Sequence, residues 1–452
     1  MRPSHRAHDH DRSRSLQRRL RAPQSGSFSN GAGSYDSRAA RPPGGCAPVS
    51  SNGSEHATEI DDRVHSINTY LVDSGTTKNW LFVQLRTENG LTGWGECYTA
   101  PDREHAIRAV TERLADHLIG ASVFDIRRFT QMAYQDAATK RGSMEFFCAV
   151  SGIEQALWDV VGKTLDQPIY NLLGGATQDR IRVYANGWSF SPAGGLNPTE
   201  SVLTAAEAMV EAGFDALKLD PFPGLWCPYP DKDDVIAGVE LVGALRERLG
   251  ASIDLLIEGH RRFAPRVAVR VAKLLEEFDP FWLEEPVPSS QLDGLAEVRS
   301  RTTIPIVTGE DLYTTTGFRE VFERNAVDII NPDVCNCGGI LELTNIAALA
   351  HANLVAVAPH NYNSTSVGLA STLQASATMP TFLITEYFVN FTRRSADISA
   401  TPPITVNDGH IVLDERPGHG VELNEEALRH AEGDPVRRTF SLASPKEANI
   451  GY

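Results

Sequence analysis

Residues 255–310 read LLIEGHRRFAPRVAVRVAKLLEEFDPFWLEEPVPSSQLDGLAEVRSRTTIPIVTGE, and their repeated pattern indicates the fold. The stretch holds three short apolar runs, each followed by an acid and separated from the next run by a longer amphipathic segment. The acids are Glu258, Glu284 and Glu310, which lie 26 residues apart. Such alternation predicts strand–helix units and a parallel sheet. Because each interval is one unit, the three acids should reach the same edge of that sheet.

The same unit recurs on both sides of this stretch. Eight apolar runs follow Arg180, at residues 181–184, 216–218, 255–257, 281–283, 304–307, 327–330, 354–357 and 382–384. Eight strand–helix units put the chain in the α/β class and predict a closed (β/α)8 barrel over residues 181–410. Catalytic groups of such barrels lie at the carboxyl ends of the strands.

Residues 59–180 have a different pattern, which predicts an α+β capping domain. Alternating apolar and polar residues indicate three strands, at residues 64–72, 80–87 and 91–97. Apolar residues spaced by three and four indicate helices at residues 103–118 and 149–163. We expect the C-terminal segment, residues 411–452, to return to this capping domain.

The first 58 residues form a tail of distinct composition. They contain nine Arg, no Lys and four acids, and Ser, Gly and Pro fill most other positions. With so few large apolar side chains the tail cannot fold alone, and we expect it to be disordered. It lacks the apolar segment of a secretory signal. A disordered extension, or a gene start placed too far upstream, is favoured over a targeting peptide.

Composition excludes several classes of protein. The 452 residues carry 42 basic and 58 acidic side chains, a net charge of -16. Without the tail, 33 basic residues face 54 acidic ones, or -21. Such a polyanion would be repelled by nucleic acid. No run of 18 apolar residues exists that would span a membrane. Six scattered cysteines indicate reduced thiols, so we expect a cytoplasmic protein.

Polar residues end the predicted strands and should converge on one mouth of the barrel. They are Lys218, Asp220, Glu258, His260, Glu284, Glu310, Asp333, His360 and Glu386. Carboxylates that share a small space repel one another unless a cation is present. Ligation by oxygen alone selects a hard ion, so the sequence predicts Mg²⁺.

Two histidines lie at the same rim. Asp333 and His360 follow consecutive strands, and a carboxylate that pairs with an imidazole orients the ring for general-base work. His260 lies two residues beyond Glu258, so strand alternation points both side chains to the same side. Of Glu258 and His260, one would bind metal while the other handles a proton.

Three further residues are candidates for contacting the substrate. Asp220 follows the second strand and Asn361 follows His360. Arg141 lies in residues 134–146, which by position form a candidate specificity loop in the cap. The basic residues of that loop would equally suit a solvated surface.

Several motifs of this chain, taken in their order along the sequence, resemble those of the enolase superfamily. The resemblance is specifically to its mandelate racemase subgroup, and most closely to the acid-sugar dehydratases. The similarity covers residues 60–430 and rests on AVSGIEQALWDVVGK at 149–163, WLEEP at 282–286, TGE at 308–310, NPD at 331–333 with Gly338-Gly339, and APH at 358–360. Each motif alone is weak, but the ordered set at barrel spacing is specific.

The resemblance implies a set of roles. Mg²⁺ would be held by Glu258, Glu284 and Glu310, and His360, oriented by Asp333, would abstract the proton α to the substrate carboxylate. His260 would protonate a departing β-hydroxyl. Lys218 would add positive charge at the carboxylate oxygens, where a protonated Glu386 would donate a hydrogen bond. The family's habit also suggests a homo-oligomer.

Two departures from the family pattern bear on the reaction. Racemases of the subgroup carry Lys-x-Lys at the second strand, whereas this chain has Lys218-Leu219-Asp220 and so lacks their second base. The third strand has Glu258-Gly259-His260 where the dehydratases commonly show Asp-x-His, so this metal ligand is one methylene longer. One base and a separate acid suit a hydro-lyase that converts a sugar acid into a 2-keto-3-deoxy acid.

Two alternatives remain at this point. A cycloisomerase, epimerase or racemase would use the same enediolate without losing water. A non-catalytic relative would bind sugar acids and leave the α-proton in place.

Overall fold

The computed structural model describes residues 61–75, 78–135, 142–190, 199–222, 227–362 and 364–433. The predicted tail, the candidate residue Arg141 and the end of the C-terminal segment lie outside the described residues.

An antiparallel sheet and four helices open the fold. The strands, in sheet order, are β1 (Val64–Val72), β2 (Trp80–Thr87) and β3 (Thr92–Cys97). The helices are α1 (Glu104–Ala115), α2 (Ile126–Gln135), α3 (Met144–Leu165) and α4 (Ile169–Leu172). β3 lies directly on α3, since a Cβ at Gly95 would stand 1.9 Å from the backbone oxygen of Gly152. Only glycine permits so close an approach. The sequence prediction missed α2.

Alternating strands and helices follow. They are β4 (Arg180–Asn186), α5 (Thr199–Glu211), β5 (Ala216–Leu219), α6 (Lys232–Leu249), β6 (Asp254–Glu258), α7 (Pro265–Leu275), β7 (Trp282–Glu284), α8 (Leu292–Arg299), β8 (Ile306–Thr308), α9 (Thr314–Glu323), β9 (Ile329–Ile330), α10 (Ile340–Ala352), β10 (Ala356–Val357), α11 (Ser366–Ser376) and β11 (Thr385–Phe388).

These strands form a closed parallel barrel. β4 to β10 pair in chain order, and β11 pairs with β4. The remaining seam closes where Val357 donates its N–H to the oxygen of Thr381 at 3.0 Å and accepts from Leu383 at 2.9 Å. The interior is filled by buried side chains that include Tyr184 and Trp282. The predicted barrel is therefore confirmed, although its last strand begins three residues later than the apolar run at 382–384.

The last described elements return to the first sheet. α12 (Thr392–Ile398) and β12 (His410–Val412) precede α13 (Glu425–Ala431), and β12 pairs antiparallel with β4. Asp73, just after β1, donates its N–H to the oxygen of Ala431 at 3.0 Å. The predicted α+β cap with a returning C-terminal segment is thus confirmed, while the exact domain boundaries stay predictions.

Two sequence expectations concern the chain as a whole. The five cysteines in the described ranges are free thiols. No helix within those ranges combines the length and apolar character that crossing a membrane requires.

Candidate active site

Three glutamates cluster at the carboxyl ends of neighbouring strands. Glu258 and Glu284 end β6 and β7 and face each other in register, and Glu310 lies two residues beyond β8. One carboxylate oxygen from each lies within 4.8 Å of the others. Glu258 and Glu284 are buried, at 1% and 0% exposure, and Glu310 is half-buried. The structure brings together the predicted metal ligands.

The charge of this cluster is only partly balanced by protein. Lys218, at the end of β5, donates to Glu284 Oε1 at 2.5 Å and lies 3.1 Å from Glu258 Oε2. Asn331 also donates to Glu284 Oε1, at 2.8 Å. Burial, followed by the charge of Glu258, raises the pKa of Glu284 well above its usual range. Two carboxylates around one ammonium leave room for a further positive charge.

The second oxygen of Glu284 provides a test of whether a metal fits. Glu284 Oε2 is buried, and no described residue donates a hydrogen bond to it. A buried carboxylate oxygen without a partner costs free energy. A hard cation ligated by three carboxylates would supply that partner, so the residues present fit Mg²⁺.

His360 faces this cluster. Its Nδ1 lies 2.8 Å from Asp333 Oδ2, while Nε2 lies 3.2 Å from Glu310 Oε2 and 3.6 Å from Glu386 Oε2. Burial disfavours the charged ring, yet the nearby carboxylates, first Glu386 and then Glu310, raise the pKa of His360 above its ordinary value. The predicted pair with Asp333 is present, and it directs Nε2 towards the cluster.

Glu386 differs from the expectation of a protonated donor. Its Oε1 accepts from Asn186 Nδ2 at 2.5 Å, and its Oε2 accepts from the backbone N–H of Asn361 at 2.8 Å. Burial would raise its pKa, but Lys218 and His360 lower the pKa of Glu386 below its ordinary value. This direction favours the ionised form of Glu386, since two N–H donors and the Lys218 ammonium lie beside its carboxylate.

The side chain of Asn361 is not among those that line the pocket beside Glu258 and Glu310. Its Nδ2 donates to Thr385 Oγ1 at 2.9 Å, its Oδ1 accepts from Thr372 at 2.6 Å, and the residue is 2% exposed. These bonds tie the strand end after β10 to β11 and to α11. The side chain thus helps to hold the backbone donor of Glu386 in place, and the contact of Asn361 with the substrate stays a prediction.

His260 lies at the same rim, beside a pair that sequence reasoning only half identified. Its Nδ1 is 2.8 Å from Asp220 Oδ2, and Asp220 in turn accepts two hydrogen bonds from Arg262. Burial would raise the pKa of Asp220, but Arg262 and then His260 hold the pKa well below its usual range. Asp220 lines the pocket while its oxygens are engaged by His260 and Arg262, so its contact with the substrate stays a prediction.

The cap contributes two residues, Tyr98 and Lys78, that no sequence pattern singled out. Tyr98, just after β3, lines the pocket together with Tyr362 and both histidines. Lys78, 3% exposed, donates to the Tyr98 hydroxyl at 3.0 Å and lies 3.9 Å from the centre of the Tyr362 ring. Nothing in the local sequence around Lys78 distinguishes it from a turn residue, because its partners are distant in the chain.

A (β/α)8 barrel whose strand ends bring together a carboxylate triad, an ammonium and two His–Asp pairs defines an enzyme-type site. Models of two domains match the chain: "Mandelate racemase / muconate lactonizing enzyme, N-terminal domain" at residues 61–174 and "Enolase C-terminal domain-like" at residues 201–427. The chain belongs to the mandelate racemase/muconate lactonizing enzyme family of the enolase superfamily, which confirms the resemblance.

Individual relatives agree with this assignment. The D-galactonate dehydratase of Pectobacterium atrosepticum is 32% identical over 371 residues, which cover 81% of this chain and 93% of that protein. The D-xylonate dehydratase of Haloferax volcanii is 33% identical over 379 residues, covering 81% and 88%. The crystal structure of a mandelate racemase/muconate lactonizing enzyme-like protein from Rubrobacter xylanophilus has a TM-score of 0.76 and 34% identity, over 83% of this chain and 99% of that one. The relatives support dehydration of a sugar acid as the class of reaction.

Proposed function

We propose that this enzyme is a Mg²⁺-dependent dehydratase that converts a sugar acid into a 2-keto-3-deoxy acid. One observation carries the proposal: the pocket that Glu258 and Glu310 line is flanked by two histidines, His360 and His260, each held at Nδ1 by its own aspartate. Removing an α-proton and expelling a β-hydroxyl require one base and one acid.

The metal would be held by Glu258, Glu284 and Glu310. When bound, Mg²⁺ supplies positive charge that stabilises the enediolate formed from a carboxylate substrate. Lys218 adds a fixed charge at the same place, since its ammonium lies between Glu258 and Glu284. Local recognition is needed because the chain outside the tail carries 33 basic against 54 acidic residues, and the overall field repels anionic substrates.

His360 would take the α-proton at Nε2. Asp333 engages Nδ1 and so leaves Nε2 as the nitrogen that faces the pocket. Asp333 is fixed in turn, because its Oδ1 accepts the backbone N–H of Cys335 at 2.7 Å. This support keeps the ring in one orientation for proton transfer.

His260 would donate the proton on its Nε2 to the β-hydroxyl, which leaves as water. The C–O bond breaks as the electron pair of the enediolate forms the carbon–carbon double bond, and the enol product then tautomerises to the 2-keto acid. Asp220 stands where the racemases have a second lysine base, and Arg262 engages both its oxygens. This arrangement favours elimination over two-base racemisation.

The experiment is a screen of sugar acids with Mg²⁺, in which semicarbazide detects keto-acid product. Exchange of the α-proton is followed by NMR in deuterated solvent. Wild-type enzyme should form keto acid from at least one member, and His360→Asn should abolish both product and exchange. Exchange without keto product would favour an epimerase or cycloisomerase. Binding without exchange would favour a non-catalytic relative, and exchange at the wild-type rate in His360→Asn would contradict the assignment of the base.

A further inference from the structure

The ring of His260 is supported by side chains from two neighbouring strand ends. Asp220 follows β5, whereas His260 and Arg262 follow β6. Arg262 donates from Nη1 to Asp220 Oδ1 at 2.7 Å and from Nη2 to Oδ2 at 2.5 Å, and Asp220 Oδ2 lies 2.8 Å from His260 Nδ1. Asp220 Oδ1 also accepts the backbone N–H of Phe222 at 2.9 Å. The carboxylate is therefore fixed by three donors before it meets the ring.

We infer that Asp220 and Arg262 are positioning residues that hold His260 in the orientation required for protonating the leaving hydroxyl. The inference rests on the proposed dehydration. A guanidinium that donates two parallel bonds fixes the plane of a carboxylate, which a single contact would not do. The carboxylate then selects Nδ1 as the nitrogen it engages, and this contact sets the orientation of a ring that lines the pocket.

Burial makes this support rigid. Arg262 and Asp220 are 5% and 6% exposed, so water does not compete strongly for their hydrogen bonds. A buried ion pair contributes little net stability, because desolvation offsets most of the attraction. A pair of this kind beside a pocket is better explained by the geometry that it imposes on His260.

The backbone around His260 is held in an unusual conformation. His260 and Arg261 both have left-handed φ angles, 46° and 60°. Such residues are strained and persist where the surroundings determine them. Two bonds do so here: the N–H of His260 donates to Glu258 Oε1 at 2.7 Å, and the N–H of Arg261 donates to the oxygen of Glu285 at 2.6 Å. The backbone turn presents the ring, and Asp220 fixes its rotation.

The test separates the two half-reactions. Asp220→Asn and Arg262→Gln should lower the rate of keto-acid formation by about 100-fold, the lower range for losing a general acid, while α-deuterium exchange falls by less than about 3-fold. His260→Asn should show the same split. Asp215→Asn is the matched control. Asp215 also forms an ion pair with an arginine, Arg182 at 3.1 Å, but it precedes β5 and so lies at the end of the strand opposite to Asp220. The control should leave the ratio of product to exchange unchanged.

Equal losses of exchange and product in Asp220→Asn and Arg262→Gln would overturn the inference, since a general structural defect lowers both. Crystal structures of both variants give a readout that does not depend on turnover. The His260 ring should rotate away from its wild-type orientation, and an unmoved ring in both variants would also overturn the inference. If wild-type enzyme forms keto acid from no sugar acid, the proposed function fails, and the crystal structures still decide whether Asp220 and Arg262 orient His260.

Discussion

Replacing Gly339 by alanine should destabilise the protein much more than its backbone strain alone explains. Gly339 precedes α10 with φ 93° and ψ −168°, a region nearly reserved for glycine. A Cβ there would stand 2.1 Å from Glu154 Oε2 and 2.5 Å from its Cδ. Glu154, a buried residue of α3, accepts from the N–H groups of Ile340 at 2.7 Å and Leu341 at 2.9 Å. The new methyl group would displace this carboxylate from the start of α10.

The magnitude follows from these contacts. Strain at such a backbone position costs about 1–3 kcal/mol. Leaving two buried N–H groups without an acceptor adds about 1–3 kcal/mol each. Gly250 is a matched control, because it has φ 80° and ψ 179° and a Cβ there meets no atom within 4 Å. Gly339→Ala should therefore lose about 2–6 kcal/mol more stability than Gly250→Ala.

Urea unfolding followed by tryptophan fluorescence measures both variants. The same comparison in a Glu154→Ala background tests the mechanism, since two of the three nearest atoms to the new Cβ are then absent. In that background Gly339→Ala should cost less than it does in the wild-type chain, and the remaining contact with the Cβ of residue 154 at 2.9 Å should be what separates it from Gly250→Ala. Equal losses of unfolding free energy for Gly339→Ala and Gly250→Ala would refute the reasoning. So would additive losses for Gly339→Ala and Glu154→Ala in the double variant.

Two further predictions concern the site itself. Mg²⁺ at about 100 times its Kd should raise the free energy of unfolding by about 2.7 kcal/mol, because only the folded chain assembles the three glutamates. Unfolding of wild type and Glu284→Gln with Mg²⁺ or with chelator checks this, and an equal increment in the variant would contradict the ligand assignment. Lys78→Met should raise KM for the sugar acid by about 10-fold, since a hydrogen bond from a charged donor contributes about 1.5–3 kcal/mol and this one fixes Tyr98 in the pocket wall. Steady-state kinetics measure the effect, and an unchanged KM would contradict the role of Lys78.

The features predicted best from sequence are those that repeat. The strands β1 and β2 coincide with the predicted runs, and the acids that follow the barrel strands meet at one rim. In a barrel, residues at equivalent places in successive strand–helix units lie at the same rim, because every unit returns the chain to the same edge. Glu258, Glu284 and Glu310 were therefore predictable as a cluster without any coordinates.

Side-chain partners were predicted less well, because sequence spacing does not determine rotamers. Asn361 has the expected place beside His360, yet its amide turns away to Thr372 and Thr385. Arg262 lies two residues after His260. Its paired hydrogen bonds to Asp220 depend on the turn that His260 and Arg261 make with their left-handed φ angles. No periodic pattern encodes such a turn. The charge of Arg262 was a usable sequence signal, because a basic residue at a rim of acids is expected to pair with one of them.

The structure shows which contacts the side chains of the motif at residues 149–163 make, which the sequence alone does not indicate. Ser151 Oγ accepts the N–H of Gly338 at 2.9 Å, Glu154 receives the first N–H groups of α10, and Gln155 Nε2 donates to the backbone oxygen of Glu96 at 2.9 Å. Ser151 thus holds the loop between Asp333 and α10, and Glu154 holds the start of α10. That loop holds the carboxylate of Asp333, which contacts His360, so the cap acts on the proposed base as well as on the pocket wall. Substitutions in this face of α3 should consequently lower α-proton exchange and stability together, whereas Lys78→Met should change substrate affinity alone.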